Sequence, residues 1–201
     1  MAAFISIVFS TALIMFAAEF ADKTSLVAIS IATKSKRPMI AYLGSLTGII
    51  FTSIIGILFA LLLGQIIPDF IGIISGLIFL YLGISSLFPK ENNHPKEDSI
   101  SIDSNDTNWT GFKLYLQSSF IIAIAEFGDK SQIFLIARAS LQNPFAIFLG
   151  AIIGMGVVLA ISIYFGDTLL EKVPEEKLET IVGIVFINVG VVILANFIFL
   201  N

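Results

Sequence analysis

Long apolar runs separated by short polar interruptions dominate this chain. The hydrocarbon core of a bilayer, about 30 Å thick, is crossed by about 20 apolar residues in a helix. Six runs approach or exceed that length: residues 4–32, 40–63, 70–88, 113–137, 145–165 and 178–200. After the first comes a basic turn, Thr33-Lys34-Ser35-Lys36-Arg37-Pro38, where proline stops any helix. The stretch 89–112 differs in kind, being rich in Pro, Asn, Ser, Asp, Glu and Lys, and reads as a solvated connector. Inside it, Asp103-Ser104-Asn105-Asp106 resembles the start of a calcium loop. The pattern then fails, with Asn108 in place of the loop glycine and Leu114 in place of the bidentate glutamate.

The pattern occurs twice. Pro38 answers Pro144, Leu43-Gly44 answers Leu149-Gly150, and Phe79 with Gly83 answers Phe186 with Gly190. Gly64 and Pro68 answer Gly166 and Pro174. Residues 1–88 form one three-span repeat, 89–112 a polar cytoplasmic linker, and 113–201 the second repeat. Three is odd, so the second copy enters the membrane from the opposite face. The predicted fold is an all-α integral membrane protein of six transmembrane helices in two inverted repeats, an architecture typical of secondary transporters. Gly44 and Gly48, echoed by Gly150 and Gly154, offer small-residue faces for close helix approach.

Composition strengthens this picture. Of 201 residues, 57% are hydrophobic and only 13% charged, against roughly 25% charged in soluble domains. A net charge of −4 argues against nucleic acid as a partner. Cysteine is absent, which removes disulfides, thiolate metal sites and a cysteine nucleophile, and the one histidine is His94 in the linker. Lysine and arginine set the orientation. Lys34, Lys36, Arg37, Lys90, Lys96, Lys172 and Lys177 fall on one face, and only Arg138 among loop residues on the other. The basic face is expected to be cytoplasmic, with both termini outside. No basic residue precedes Lys23, so the first apolar run is expected to be retained rather than cleaved.

Against this background two clusters stand out. Ala18-Glu19-Phe20-Ala21-Asp22-Lys23-Thr24 lies within the first run, and Ala125-Glu126-Phe127-Gly128-Asp129-Lys130-Ser131 within the fourth. Ionisable residues inside membrane spans are costly and mark function by default. On a continuous helix Glu19 and Asp22 share a face, as do Glu126 and Asp129. The first run allows either one tilted helix or a helix interrupted at 19–24. Inversion of the repeats lets the two acid pairs converge near the midplane. Four carboxylates, with the hydroxyls of Thr24 and Ser131 and the amide of Gln132, make an oxygen-rich cage suited to Ca²⁺ or Mn²⁺. Counting Lys23 and Lys130, the ionised cluster sums to −2, which one divalent cation or two protons neutralise. A site neutral in either loaded state can cross a low-dielectric barrier. Simpler roles remain open: Glu19–Lys23 and Glu126–Lys130 as helix ion pairs, Thr24 and Ser131 as donors to backbone carbonyls, and Asn188 as a packing residue.

Both clusters fit the pattern E-x-G-D-[KR]-[TS], with one departure, Ala21 for glycine in the first copy. The chain therefore resembles the duplicated-motif cation/proton antiporters, which include Golgi manganese/calcium transporters and bacterial manganese exporters, within the lysine-exporter-like superfamily. The resemblance implies that Glu19, Asp22, Glu126 and Asp129 bind the cation, with Thr24 and Ser131 assisting. It also implies export of Mn²⁺, or Ca²⁺, from the cytosol against protons across a bacterial plasma membrane. On this reading the chain is not an enzyme. It carries no resident cofactor, and metal ions, protons and the lipid bilayer are its partners. The competing expectations are an exporter of a small organic cation or amino acid such as lysine, a membrane-embedded enzyme, and a membrane scaffold.

Overall fold

The computed structural model describes residues 1–20, 23–66, 70–87, 111–169 and 175–200. The described residues form eight helices and no strand: α1 (Ala2–Glu19), α2 (Lys23–Ser35), α3 (Pro38–Ile66), α4 (Ile71–Leu87), α5 (Gly111–Glu126), α6 (Lys130–Ala139), α7 (Pro144–Leu169) and α8 (Glu175–Leu200). Both long central helices open on proline, which is suited to the first helical position because its missing N–H would have no partner there. Asn143 caps α7, its Oδ1 accepting the Ala146 N–H at 3.0 Å.

The fourth apolar run, predicted as one span over 113–137, is two helices. α5 ends at Glu126 and α6 begins at Lys130. Gly128 between them has φ of 80°, a left-handed conformation open to a residue without Cβ. The first run is divided at the matching place, α1 ending at Glu19 with Phe20 extended (φ −67°, ψ 120°). Of the two alternatives for that run, the interrupted helix is the one observed. Among the described residues four helical stretches are by themselves long and apolar enough to cross a membrane: Ala2–Glu19, Pro38–Ile66, Pro144–Phe165 and Thr180–Ile198. Ile71–Leu87 is a shorter apolar helix. The 16 residues of α5 reach about 24 Å, short of a bilayer core.

The glycine faces do what their spacing predicts. A Cβ on Gly150 would lie 2.6 Å from the Val8 carbonyl oxygen, and one on Gly154 would lie 3.0 Å from the Met15 Cβ, so α7 lies directly on α1. Gly44 meets Tyr115 and Ser118, and Gly48 meets Ser119 and Ala123, so α3 lies on α5 in the same way. In both pairs contacts advance in the same sense along the two helices, which are therefore parallel. α4 and α8 cross differently. Gly76 faces Gly190 while Gly83 faces Gly183, so rising numbers on one helix meet falling numbers on the other, and the pair is antiparallel.

Three rings join α4, α6 and α8. Phe79 and Phe134 meet edge to face at 5.3 Å, and Phe134 stacks on Phe186 at 5.4 Å. Large apolar side chains also cover the outside, among them Phe9, Phe51, Leu58, Phe120 and Tyr81. Apolar cover on this scale is unusual for a soluble monomer and fits lipid as the surrounding solvent.

Candidate cation site

The acidic residues sit where helices stop. Glu19 is the last residue of α1 and Glu126 the last of α5. Each helix therefore turns its C-terminal end, with carbonyls that lack intrahelical partners and a partial negative charge, toward its own acid. Asp129 caps α6 in an extended conformation (φ −72°, ψ 168°) and makes no side-chain capping hydrogen bond. Its carboxylate is thus not used in closing the helix, the common use of aspartate at that position. The expectation that Glu126 and Asp129 share a helical face is corrected here, because the break at Gly128 puts them on two helices.

The carboxylates converge nonetheless. One oxygen each from Glu19, Glu126 and Asp129 lie within 4.8 Å of one another. Glu19 is 5% exposed and Glu126 2%, so two acids from opposite halves are withdrawn from solvent together. Asp22, the fourth acid of the predicted cage, lies outside the described residues, as does the side chain of Lys23. Lys130 opens α6 and is exposed.

The polar neighbours take distinct parts. Ser131 donates from Oγ to Glu126 Oε2 at 3.1 Å, a partner other than the backbone carbonyl considered for it. Gln132 is engaged at both ends. Its Oε1 accepts the Gly128 N–H at 2.6 Å, and its Nε2 donates to the Thr52 carbonyl at 3.3 Å. The side chain so ties the left-handed turn to α3. Thr24 is buried beside Glu19. Asn188 donates to the Ile184 carbonyl at 2.8 Å within its own helix.

Two small cavities, each about 10 Å³, flank the acids. One is bordered by Glu126, Ser131, Gln132, Thr52, Ser53, Met15 and Met155. The other is bordered by Glu19, Thr24, Ser25, Ile49, Val158, Leu159, Glu126 and Met155. Each holds about one water-sized body. The walls correspond across the repeat and differ in chemistry: Thr52 and Ser53 of α3 occupy the places that Val158 and Leu159 hold on α7. No motif marks Thr52, Ser53, Ser25, Met15 or Met155. The available signal was a Thr-Ser pair four residues beyond Gly48 in an otherwise apolar run.

A family model described as divalent cation/proton antiporter GDT1 matches residues 7–94 and 114–198. The chain belongs to the GDT1 family of divalent cation/proton antiporters. A GDT1-like protein of Schizosaccharomyces pombe is 24% identical, over 93% of this chain and 81% of its own length. GDT1-like protein 3 of Oryza sativa subsp. japonica is 22% identical, over 91% of this chain and 71% of its own. The chloroplastic protein PAM71 of Arabidopsis thaliana is 22% identical, over 93% of this chain and 56% of its own length. Comparison with solved structures gives no significant match. Family membership makes the chain a membrane transporter rather than an enzyme, and it agrees with the resemblance carried by the duplicated motif.

Proposed function

We propose that this antiporter exports a divalent cation, Mn²⁺ in first place and Ca²⁺ in second, from the cytosol in exchange for protons. Glu19, Asp22, Glu126 and Asp129 hold the ion, and Thr24 and Ser131 assist. The observation that carries the reading is the meeting of carboxylates from both halves within 4.8 Å at three helix ends. The cation is cargo, and no resident cofactor enters the mechanism.

The transport cycle follows from charge. The pocket emptied of cation and protons holds several carboxylates in a low-dielectric place, and crossing the barrier in that state is costly. One M²⁺ or about two protons cancels the charge, so only loaded forms reorient. The C-terminal ends of α1 and α5 add partial negative charge for a cation, as broken helices do in other transporters. Ser131 fixes the Glu126 carboxylate, and Gln132 keeps the Gly128 turn in place while the ion enters and leaves.

A six-span inverted repeat supplies alternating access. Its support is the antiparallel crossing of α4 on α8, together with the parallel pairs α1 on α7 and α3 on α5. Equivalent elements that run antiparallel are what inversion demands. The loop charges favour a cytoplasmic linker with both termini outside, and the motif resemblance implies a bacterial plasma membrane as the setting.

The test uses purified protein in liposomes with an acidic interior, offered Mn²⁺, Ca²⁺, Mg²⁺ and lysine in turn. Uptake of Mn²⁺ or Ca²⁺ matched by proton exit, and lost in Asp129→Asn, is the expected result. Movement of lysine alone, or unchanged cation exchange in Asp129→Asn, overturns the proposal.

A further inference from the structure

The chain has four methionines. Met1 and Met39 are exposed, at 102% and 57%. Met15 and Met155 are buried, and both border the cavity beside Glu126. Met155 also borders the cavity beside Glu19. Their placement follows from the helices. Met15 precedes Glu19 by four residues on α1, and so lies on the same face one turn earlier. Met155 follows Gly154, the residue that lets α7 rest on α1 at Met15.

The second repeat provides an internal comparison. Counting from the motif glutamates, Met15 corresponds to Ile122. Counting from Gly44 and Gly150, Met155 corresponds to Ile49. Ile122 and Ile49 are 0% and 2% exposed, so isoleucine satisfies the packing at both equivalent places. Met15 and Met155 border one cavity together, and Thr52, Ser53, Ser131 and Glu126 border it as well.

We infer that Met15 and Met155 are specificity-determining residues, whose thioethers make the pocket favour divalent transition-metal ions over Ca²⁺ and Mg²⁺. The inference rests on the antiporter reading of the site. Ca²⁺ takes six to eight ligands, all oxygen, and Mg²⁺ near-ideal octahedral oxygen. A sulfur at any of those positions is a poor exchange for a hydrated hard ion. First-row transition ions accept sulfur with carboxylate oxygen, and softer ions prefer it. Mn²⁺ is the hardest of the first-row transition ions, and Cd²⁺ is the sensitive probe of the sulfur.

The experiment measures uptake of radiolabelled Mn²⁺ into liposomes with an acidic interior, competed by Cd²⁺ and by Ca²⁺. Wild type is expected to be inhibited far more strongly by Cd²⁺ than by Ca²⁺. Met155→Leu and Met15→Leu keep side-chain volume. Each is expected to weaken Cd²⁺ inhibition by about tenfold, the scale on which groups around a metal tune its affinity. Met155→Gln, which exchanges sulfur for an amide oxygen, is expected to strengthen Ca²⁺ inhibition. An unchanged Cd²⁺ to Ca²⁺ ratio in both leucine variants overturns the inference and leaves the methionines as packing. X-ray absorption of Cd²⁺ bound to wild-type protein gives a readout independent of how the variants fold: a sulfur neighbour supports the inference, and an oxygen-only shell overturns it. Wild-type liposomes that move no divalent cation defeat the antiporter reading itself, an outcome distinct from an unchanged ratio.

Discussion

Ser131 Oγ and Glu126 Oε2 are 3.1 Å apart, a hydrogen bond between the first turn of α6 and the last residue of α5. It bridges the break in the fourth apolar run and fixes the direction of a buried acid. Hydrogen bonds to charged groups contribute about 1.5–3 kcal/mol. Ser131→Ala is therefore expected to weaken apparent cation affinity by about tenfold or more, with the protein still folded. Concentration dependence of Mn²⁺ uptake checks this. An affinity equal to wild type would show that the hydroxyl does not position the acid.

Gly128 supplies the second prediction. Its φ of 80° suits glycine, and a Cβ there would meet nothing within 4 Å. The cost of Gly128→Ala is thus conformational, about 1–2 kcal/mol, with no clash added. The substitution is expected to slow exchange more than it lowers thermal stability, since the turn sits between Glu126 and Asp129. Parallel measurement of transport rate and unfolding temperature decides the point. Loss of stability with an unchanged rate per folded molecule would contradict it.

Helix contact at the glycine faces can be separated from site chemistry. Gly150→Ala pushes a Cβ against the Val8 carbonyl oxygen and Thr11, whereas Gly64→Ala meets nothing within 4 Å. Overpacking costs about 1–3 kcal/mol, so Gly150→Ala is expected to lower the unfolding temperature in detergent, and Gly64→Ala to leave it unchanged. Equal behaviour of the two variants would argue against a tight α1–α7 contact.

Orientation has its own test. The chain contains no cysteine, so a single cysteine placed in the 89–112 linker gives labelling without background. Reaction only from the cytoplasmic side is expected. Labelling of intact cells from outside would reverse the assignment of the termini.

The acids were legible because charge in an apolar run is rare and its duplication is rarer. The glycine faces were legible for a similar reason, as spacing of four on a helix defines a face. The break in the fourth apolar run was harder to see. Gly128 lies in a run long enough for one helix, and a lone glycine is tolerated inside a helix. Only the left-handed turn, held by Gln132, divides it. Thr52, Ser53, Met15 and Met155 were not legible as site residues, because small polar and thioether side chains barely disturb hydropathy. Their place beside Glu126 is set by how α3 and α7 cross the broken helices, which is a property of packing rather than of local pattern.

Direct titration of Mn²⁺ into the purified protein, followed by the loss of its free-ion paramagnetic resonance signal, tests the shared pocket most simply. One ion per chain is expected, with binding abolished by Glu19→Gln and equally by Glu126→Gln, since each half supplies part of one site. Two independent ions, or wild-type binding in either variant, would contradict a pocket built jointly by the two repeats.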